Sequence, residues 1–71
     1  MAKATYTRHA REQMELRGIS ETEVERALDE FHTRYADRHG NPILIAHVGG
    51  RRIKVVYARN SDPPRVITAA D

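Results

Sequence analysis

Residues 43–58, which read ILIAHVGGRRIKVVYA, contain two alternating, apolar-rich runs on either side of a glycine pair. The runs are rich in β-branched residues and therefore predict strands over residues 43–48 and 51–58. Gly49 and Gly50 accept the positive φ angles of a two-residue primed turn, so the two strands are expected to form a hairpin. A two-residue loop fixes the register. The predicted pairs are Val48 with Arg51, His47 with Arg52, Ala46 with Ile53, Ile45 with Lys54, and Leu44 with Val55.

This register divides the hairpin into an apolar face and a mixed face. The apolar face, a suitable floor for helices, carries Leu44, Ala46, Val48, Ile53, Val55 and Tyr57. The mixed face carries Ile43, Ile45, His47, Arg52, Lys54 and Val56. With helices on one side alone, the mixed face is expected to stay open and to serve as a binding surface. A bulge at the turn would shift the register and invert part of this prediction.

The first predicted helix covers residues 8–17. Thr7 is a suitable N-cap, and Gly18 is a suitable left-handed residue at the C-terminal end. The helical period places Leu16, His9, Gln13, Arg17, Ala10 and Met14 on the side opposite Arg8, Arg11, Glu12 and Glu15. The side that carries Ala10 and Met14 is expected to face inward, and it is apolar only along its two margins.

The second predicted helix begins at a capping box formed by Ser20 and Glu23, and runs to about Phe31. Ile19 is expected to pack on Val24 across this helix start. The buried stripe is expected to contain Val24, Ala27, Leu28 and Phe31, at positions i, i+3, i+4 and i+7.

The remaining chain predicts two more strands. Residues 33–38 are typical of an edge strand and end at the turn signal of residues 39–42, HGNP. Residues 60–64 break the chain again, and residues 65–70 predict a final strand. The sequence therefore predicts one α+β domain over residues 1–71. Two N-terminal helices pack on one face of a three- to four-stranded antiparallel sheet, in the order α-α-β-β-β-β.

Composition and charge narrow the class of protein. The 71 residues include no cysteine, which excludes disulfides and thiolate zinc sites. No apolar run reaches the roughly 18 residues of a membrane span, and the first ten residues lack a signal-peptide core, so a cytoplasmic protein without membrane contact is expected. Acidic residues dominate positions 20–31 and basic residues dominate from position 34 onward, which indicates two surfaces with different partners.

Cations on the open face are suited to holding phosphates. The set comprises Arg52 and Lys54, with Arg51, Arg65 and His47 as further nucleic-acid-binding candidates. An alternative interpretation is that these charges keep an exposed sheet soluble and its edges unpaired. His9, in the first helical turn, is a candidate general base because the helix dipole favours the neutral ring. It could equally be a structural histidine bonded to the backbone or to Gln13.

Metal and cofactor sites are not predicted. The four histidines show no H-x-x-x-H or H-E-x-x-H spacing, no phosphate-binding loop is present, and Ser20 is used as a cap. The chemistry that remains is acid–base chemistry without a metal.

The sequence also resembles a known group. The run T-R-H-A at residues 7–10, M at 14, R-G-I-S at 17–20, V-G-G-R at 48–51 and V-I-T at 66–68 is similar to a family of small bacterial proteins. Their pattern is T/S-x-H-A, R-M-x-x-R-G-I, V-V-Y and I-T-V. That family is in turn similar to RelE/ParE-type toxins of the barnase–EndoU–colicin–RelE nuclease fold.

The resemblance implies a ribonuclease-like toxin whose catalytic residues are His9, Arg52, Lys54, Tyr57 and Thr68. It also implies a cognate antitoxin as protein partner. Two departures bear on activity: Gln13 stands where the family has arginine, and Ala69-Ala70 replaces an aromatic residue. In the implied reaction, the RNA 2′-hydroxyl attacks the adjacent phosphate, His9 accepts its proton, and Arg52 and Lys54 stabilise the phosphorane. Tyr57 or His47 orients the phosphate or protonates the leaving group.

The predicted register separates these residues, because it places Arg52 on the open face and His9 and Tyr57 on the helix side. The implied site can form only at a sheet edge near the start of the first helix, or with a shifted register. The alternative function is a non-catalytic module whose basic sheet binds nucleic acid or an acidic protein partner. A third alternative is a homodimer that buries Ile43, Ile45 and Val56, which a lone domain is expected to leave exposed.

Overall fold

The computed structural model describes residues 3–71, which form two helices and five strands. In chain order these are β1 (Thr5–Tyr6), α1 (Arg8–Arg17), α2 (Glu21–Glu30), β2 (Thr33–Ala36), β3 (Pro42–Val48), β4 (Arg51–Tyr57) and β5 (Arg65–Ala70). The helices pack on one face of the sheet, so the predicted α+β class is confirmed.

The hairpin of β3 and β4 has the predicted turn and register. Gly49 and Gly50 have φ angles of 59° and 77°, as a primed two-residue turn requires. All five predicted cross-strand pairs are present, and Ile43 with Val56 continues the ladder. The strand boundaries differ by only one or two residues from those predicted, since β2 ends at Ala36, β3 begins at Pro42 and β4 ends at Tyr57.

The predicted three to four antiparallel strands and helix-first order agree only roughly with the structure, because a short strand precedes α1. The sheet has five strands in the order β1-β5-β4-β3-β2 and is mixed, since β1 runs parallel to β5. Hydrogen bonds from Thr5 N–H to the Pro64 carbonyl (2.9 Å) and from Thr7 N–H to the Val66 carbonyl (3.0 Å) attach this segment to the sheet. Two residues are too few to show a period of two, so the sequence pattern contains no signal for β1.

Both helix starts are capped as predicted. The Thr7 hydroxyl accepts a hydrogen bond from Ala10 N–H (3.1 Å), and Gly18 ends α1 with a φ of 66°. At α2, the Ser20 hydroxyl accepts from Glu23 N–H (3.1 Å), while the Glu23 carboxylate accepts from Ser20 N–H (2.9 Å). This reciprocal capping sets where the second helix begins and how it lies on the sheet.

The core lies between the helices and the apolar face of the sheet. Its cluster comprises Ala10, Met14, Ile19, Val24, Ala27, Ala46, Val48, Ile53, Val55, Val66 and Ala69. Four residues predicted to face inward are exposed instead, and two of them are His9 and Arg17 on α1. Leu16 is 84% exposed on α1, and Phe31 is 40% exposed at the C-cap of α2. The buried side chains that α1 contributes to the core are therefore those of Ala10 and Met14.

The apolar residues of the opposite face are buried, contrary to expectation. Ile43, Ile45 and Val56 are each less than a tenth exposed although no helix covers them. The register places Ile43 beside Tyr35 and Ile45 beside Lys54, and the stems of such long side chains cover neighbouring apolar surface. The three residues that a dimer was expected to bury are therefore already buried within the single chain.

Candidate functional site

The two layers of the fold carry different charges. Seven of the ten carboxylates lie on the helices, two on α1 and five on α2. The arginines of this layer are paired with them or with Asp71. The pairs are Arg8 with Glu12, Arg11 with Glu21, Arg17 with Asp71, Arg26 with Glu30, and Arg51 with Glu23 and Asp71. The arginine charges on the helix side are thus balanced by carboxylates in ion pairs.

The opposite side of the sheet, here called the open face, carries cations without such partners. Arg52 and Lys54 alternate with buried Ile53 on β4, so they point away from the helices. Arg65 precedes buried Val66 on β5 and lies on the same side. No carboxylate within residues 3–71 forms an ion pair with any of these three cations. Their charge is therefore available to an anionic ligand.

A histidine pair lies at the hairpin end of the open face. His47 is the direct cross-strand neighbour of Arg52, and the ring of His32 lies 4.8 Å from that of His47, centroid to centroid. The His32 N–H donates to the Ile45 carbonyl (2.9 Å), which holds this residue beside β3. His32 was not among the site residues predicted from the sequence. The pairing of β2 with β3 would have indicated it, but no tight turn fixed that register in advance.

The remaining predicted catalytic residues fall on two sides of the sheet. Thr68 is half-buried on the open face, where it pairs with Val56. Tyr57 pairs with Val66 on the helix side, past a register irregularity between Val56 and Tyr57. His9 is exposed on α1, and no residue within the described chain hydrogen-bonds its ring. The structure brings together Arg52, Lys54 and His47, but it does not bring His9 or Tyr57 to them.

Arg51, a predicted nucleic-acid contact, lies on the helix side and is fully engaged there. Its guanidinium donates to the Gly18 carbonyl (3.0 Å), to the Arg17 carbonyl and to the Asp71 carboxylate (2.6 Å and 3.1 Å). It also lies 3.7 Å from Glu23. Because these contacts join the end of α1, the start of α2 and the end of β5, the arrangement of Arg51 indicates a structural role.

The Arg51 hydrogen bond lowers the pKa of Asp71 below its usual range. Asp71 therefore contributes stability that is fully present above the unfolded pKa and is lost as the pH falls through the folded value. We expect the urea midpoint to fall further for the wild-type chain than for Asp71→Asn between about pH 5 and pH 2. The carboxyl of Asp37, whose pKa is also lowered, stays in both proteins. Identical pH dependence in the two chains would contradict a stabilising role for the Arg51–Asp71 pair.

The half-buried Tyr6, whose hydroxyl is buried, lies on the helix side, away from the open face. Burial of Tyr6, with smaller contributions from Glu25 and Glu21, raises the pKa of its hydroxyl to about 12. The hydroxyl has no hydrogen-bond partner among the described residues, and the Arg11 guanidinium lies 4.8 Å from the ring centroid. Tyr6 stays protonated at neutral pH and packs against the core.

The part of the chain that the structure describes contains no cluster of metal-binding side chains, no pocket and no helix able to span a membrane. Residues 3–71 form no cluster of three His, Cys, Asp or Glu side chains that could hold a metal ion, and no pocket. Neither helix within these residues combines the length and the apolar character that a bilayer crossing requires.

Comparison with known proteins gives a family without a described activity. No curated protein and no solved structure matches the chain significantly. The family model described as a domain of unknown function, DUF4258, matches residues 6–71, and the chain thus belongs to this family.

Proposed function

We propose that this protein binds RNA through the open face of its sheet. Charge is separated between the two layers of the fold, and this separation supports RNA binding. Arg52, Lys54 and Arg65 have no carboxylate partner, whereas the arginines of the helix layer are paired. Lys and Arg contacts with phosphates supply most of the sequence-independent affinity for nucleic acid. The acidic α2 makes the helix side of the domain unfavourable for phosphates.

An aromatic side chain on the same face favours RNA over an acidic protein segment. Tyr35 pairs with Ile43, whose neighbour on β4 is Val56, so its ring lies in the row that ends at Thr68. It is 49% exposed and therefore accessible to an unpaired base. Stacking between a base and an aromatic ring strengthens binding to single strands irrespective of sequence.

Binding without cleavage agrees better with the geometry than the catalytic site implied by the toxin resemblance. That site needs His9 as proton acceptor beside Arg52 and Lys54. His9 lies on a helix that packs on one face of the sheet, whereas Arg52 and Lys54 project from the opposite face. A phosphate held by Arg52 is therefore separated from His9 by the sheet.

The test is binding of a labelled, mixed-sequence single-stranded RNA in EDTA, followed by fluorescence anisotropy over a series of salt concentrations. We expect affinity that falls steeply with salt, and about tenfold weaker binding by Tyr35→Ala because one stacked base is lost. Polyglutamate serves as a stand-in for an acidic protein segment and is expected to compete poorly.

Three outcomes would contradict this proposal. An absence of RNA binding at low salt would remove it. Polyglutamate binding tighter than RNA would indicate an acidic protein partner, such as an antitoxin-like segment. RNA fragments with cyclic-phosphate ends, lost in His9→Ala and Arg52→Ala, would establish the metal-independent ribonuclease instead.

A further inference from the structure

The contact between His32 and His47 joins two parts of the chain that are 15 positions apart, at one corner of the open face. The two rings are tilted by 43°, and both residues are exposed. The Nδ1 atom of His32 lies 2.9 Å from the Thr33 hydroxyl, so this nitrogen is engaged and the other ring nitrogen is left for a ligand. Arg52 lies directly opposite His47 on β4.

The charged groups around this corner leave it electropositive. On β4, Arg52 faces His47 and Lys54 is its diagonal neighbour. On the side of α2, Glu30 precedes His32 by two residues, and its carboxylate is paired with Arg26 at 3.1 Å. Arg51, at the same end of the hairpin, points to the helix side and is held by Asp71. No carboxylate within residues 3–71 forms an ion pair with His32, His47 or Arg52.

We infer that His32, His47 and Arg52 form a phosphate subsite of the open face, which binds a phosphodiester most tightly when both imidazoles are protonated. This inference rests on the proposed RNA-binding function and deepens it. A protonated imidazole donates from both nitrogens, so each histidine can offer a charge-assisted hydrogen bond to a phosphate oxygen. The planar guanidinium of Arg52 matches two such oxygens.

Proton uptake follows from the charge of the ligand. A phosphate among the three groups attracts protonated imidazoles more strongly than neutral ones, so ligand binding favours the doubly protonated state. Histidine side chains change charge between pH 5 and 8, and RNA affinity is therefore expected to rise as the pH falls through that range.

The experiment measures the affinity for the same labelled RNA at pH 7.5, 6.5 and 5.5 and at constant ionic strength. Two added phosphate contacts strengthen single-strand binding by about tenfold at moderate salt. We expect a gain of that size for the wild-type chain and a loss of most of it in His32→Gln, His47→Gln and the double variant. His39→Gln, in the turn between β2 and β3, is the matched control and is expected to keep the full gain.

Calorimetry in two buffers of different ionisation enthalpy provides a second measurement at pH 6.5. Net proton uptake on RNA binding is expected for the wild-type chain and His39→Gln, and close to none for the double variant. The subsite would be overturned if RNA affinity did not depend on pH, or if the double variant kept the rise in affinity at low pH. Either result would leave the proposed function intact. A failure to bind RNA at all three pH values would overturn both.

Discussion

Replacement of Ile53 by alanine is expected to lower the free energy of unfolding by about 3 kcal/mol, because it removes three buried carbons and leaves a cavity. Ile53 is fully buried in the central part of β4, where it pairs with Ala46 and belongs to the core under the helices. A chain of 71 residues has a total stability of about 4 to 11 kcal/mol. The substitution therefore removes a large share of the free energy of unfolding. Urea unfolding followed by circular dichroism measures this loss.

Ile45→Ala is the matched control on the other side of the same sheet. Ile45 is of the same residue type and only 6% exposed, but its neighbours are Thr33 and Lys54 rather than a helix. These side chains can relax and water can reach the site, so we expect a loss of about 1.5 kcal/mol. An equal loss at both positions, together with a midpoint that depends on protein concentration, would indicate that a second copy covers the open face.

Simultaneous neutralisation of the three open-face cations is expected to weaken RNA binding by about 100-fold at 0.1 M salt. Each phosphate contact on a single strand contributes about 0.7 to the slope of log affinity against log salt, so the loss of three contacts lowers the slope by about 2. The variant carries Arg52→Gln, Lys54→Gln and Arg65→Gln. All three positions lie on the sheet surface, so folding is expected to survive and is checked by the urea midpoint.

A matched triple variant separates local contacts from total charge. Arg8→Gln, Arg11→Gln and Arg26→Gln change the net charge by the same amount, but these arginines lie on the helix layer and are paired with glutamates. We expect less than about a threefold change in affinity, since charges beyond the Debye length of the bound strand are screened. An equal loss in both triple variants would refute the open face as the binding surface.

Much of the fold follows from local chemistry that is visible in the sequence. The glycine pair and the alternation around it predicted the hairpin register, because a two-residue turn leaves no freedom in the pairing. The side-chain hydroxyls of Thr7 and Ser20 predicted where both helices begin, since a helix start needs such acceptors. Where local signals were absent, as for β1, the prediction failed.

The candidate site depends on contacts that local patterns do not contain. The amino-acid sequence was enough to place Arg52 and Lys54 on one face, because strand alternation is a property of each strand alone. It was not enough to show that Arg51 is held by the ends of α1 and β5, or that His32 reaches His47. Those contacts join residues 15 to 34 positions apart, and they depend on how helices and strands pack against each other. Packing also buried Ile43 and Ile45, since neighbouring strands supply the side chains that cover them.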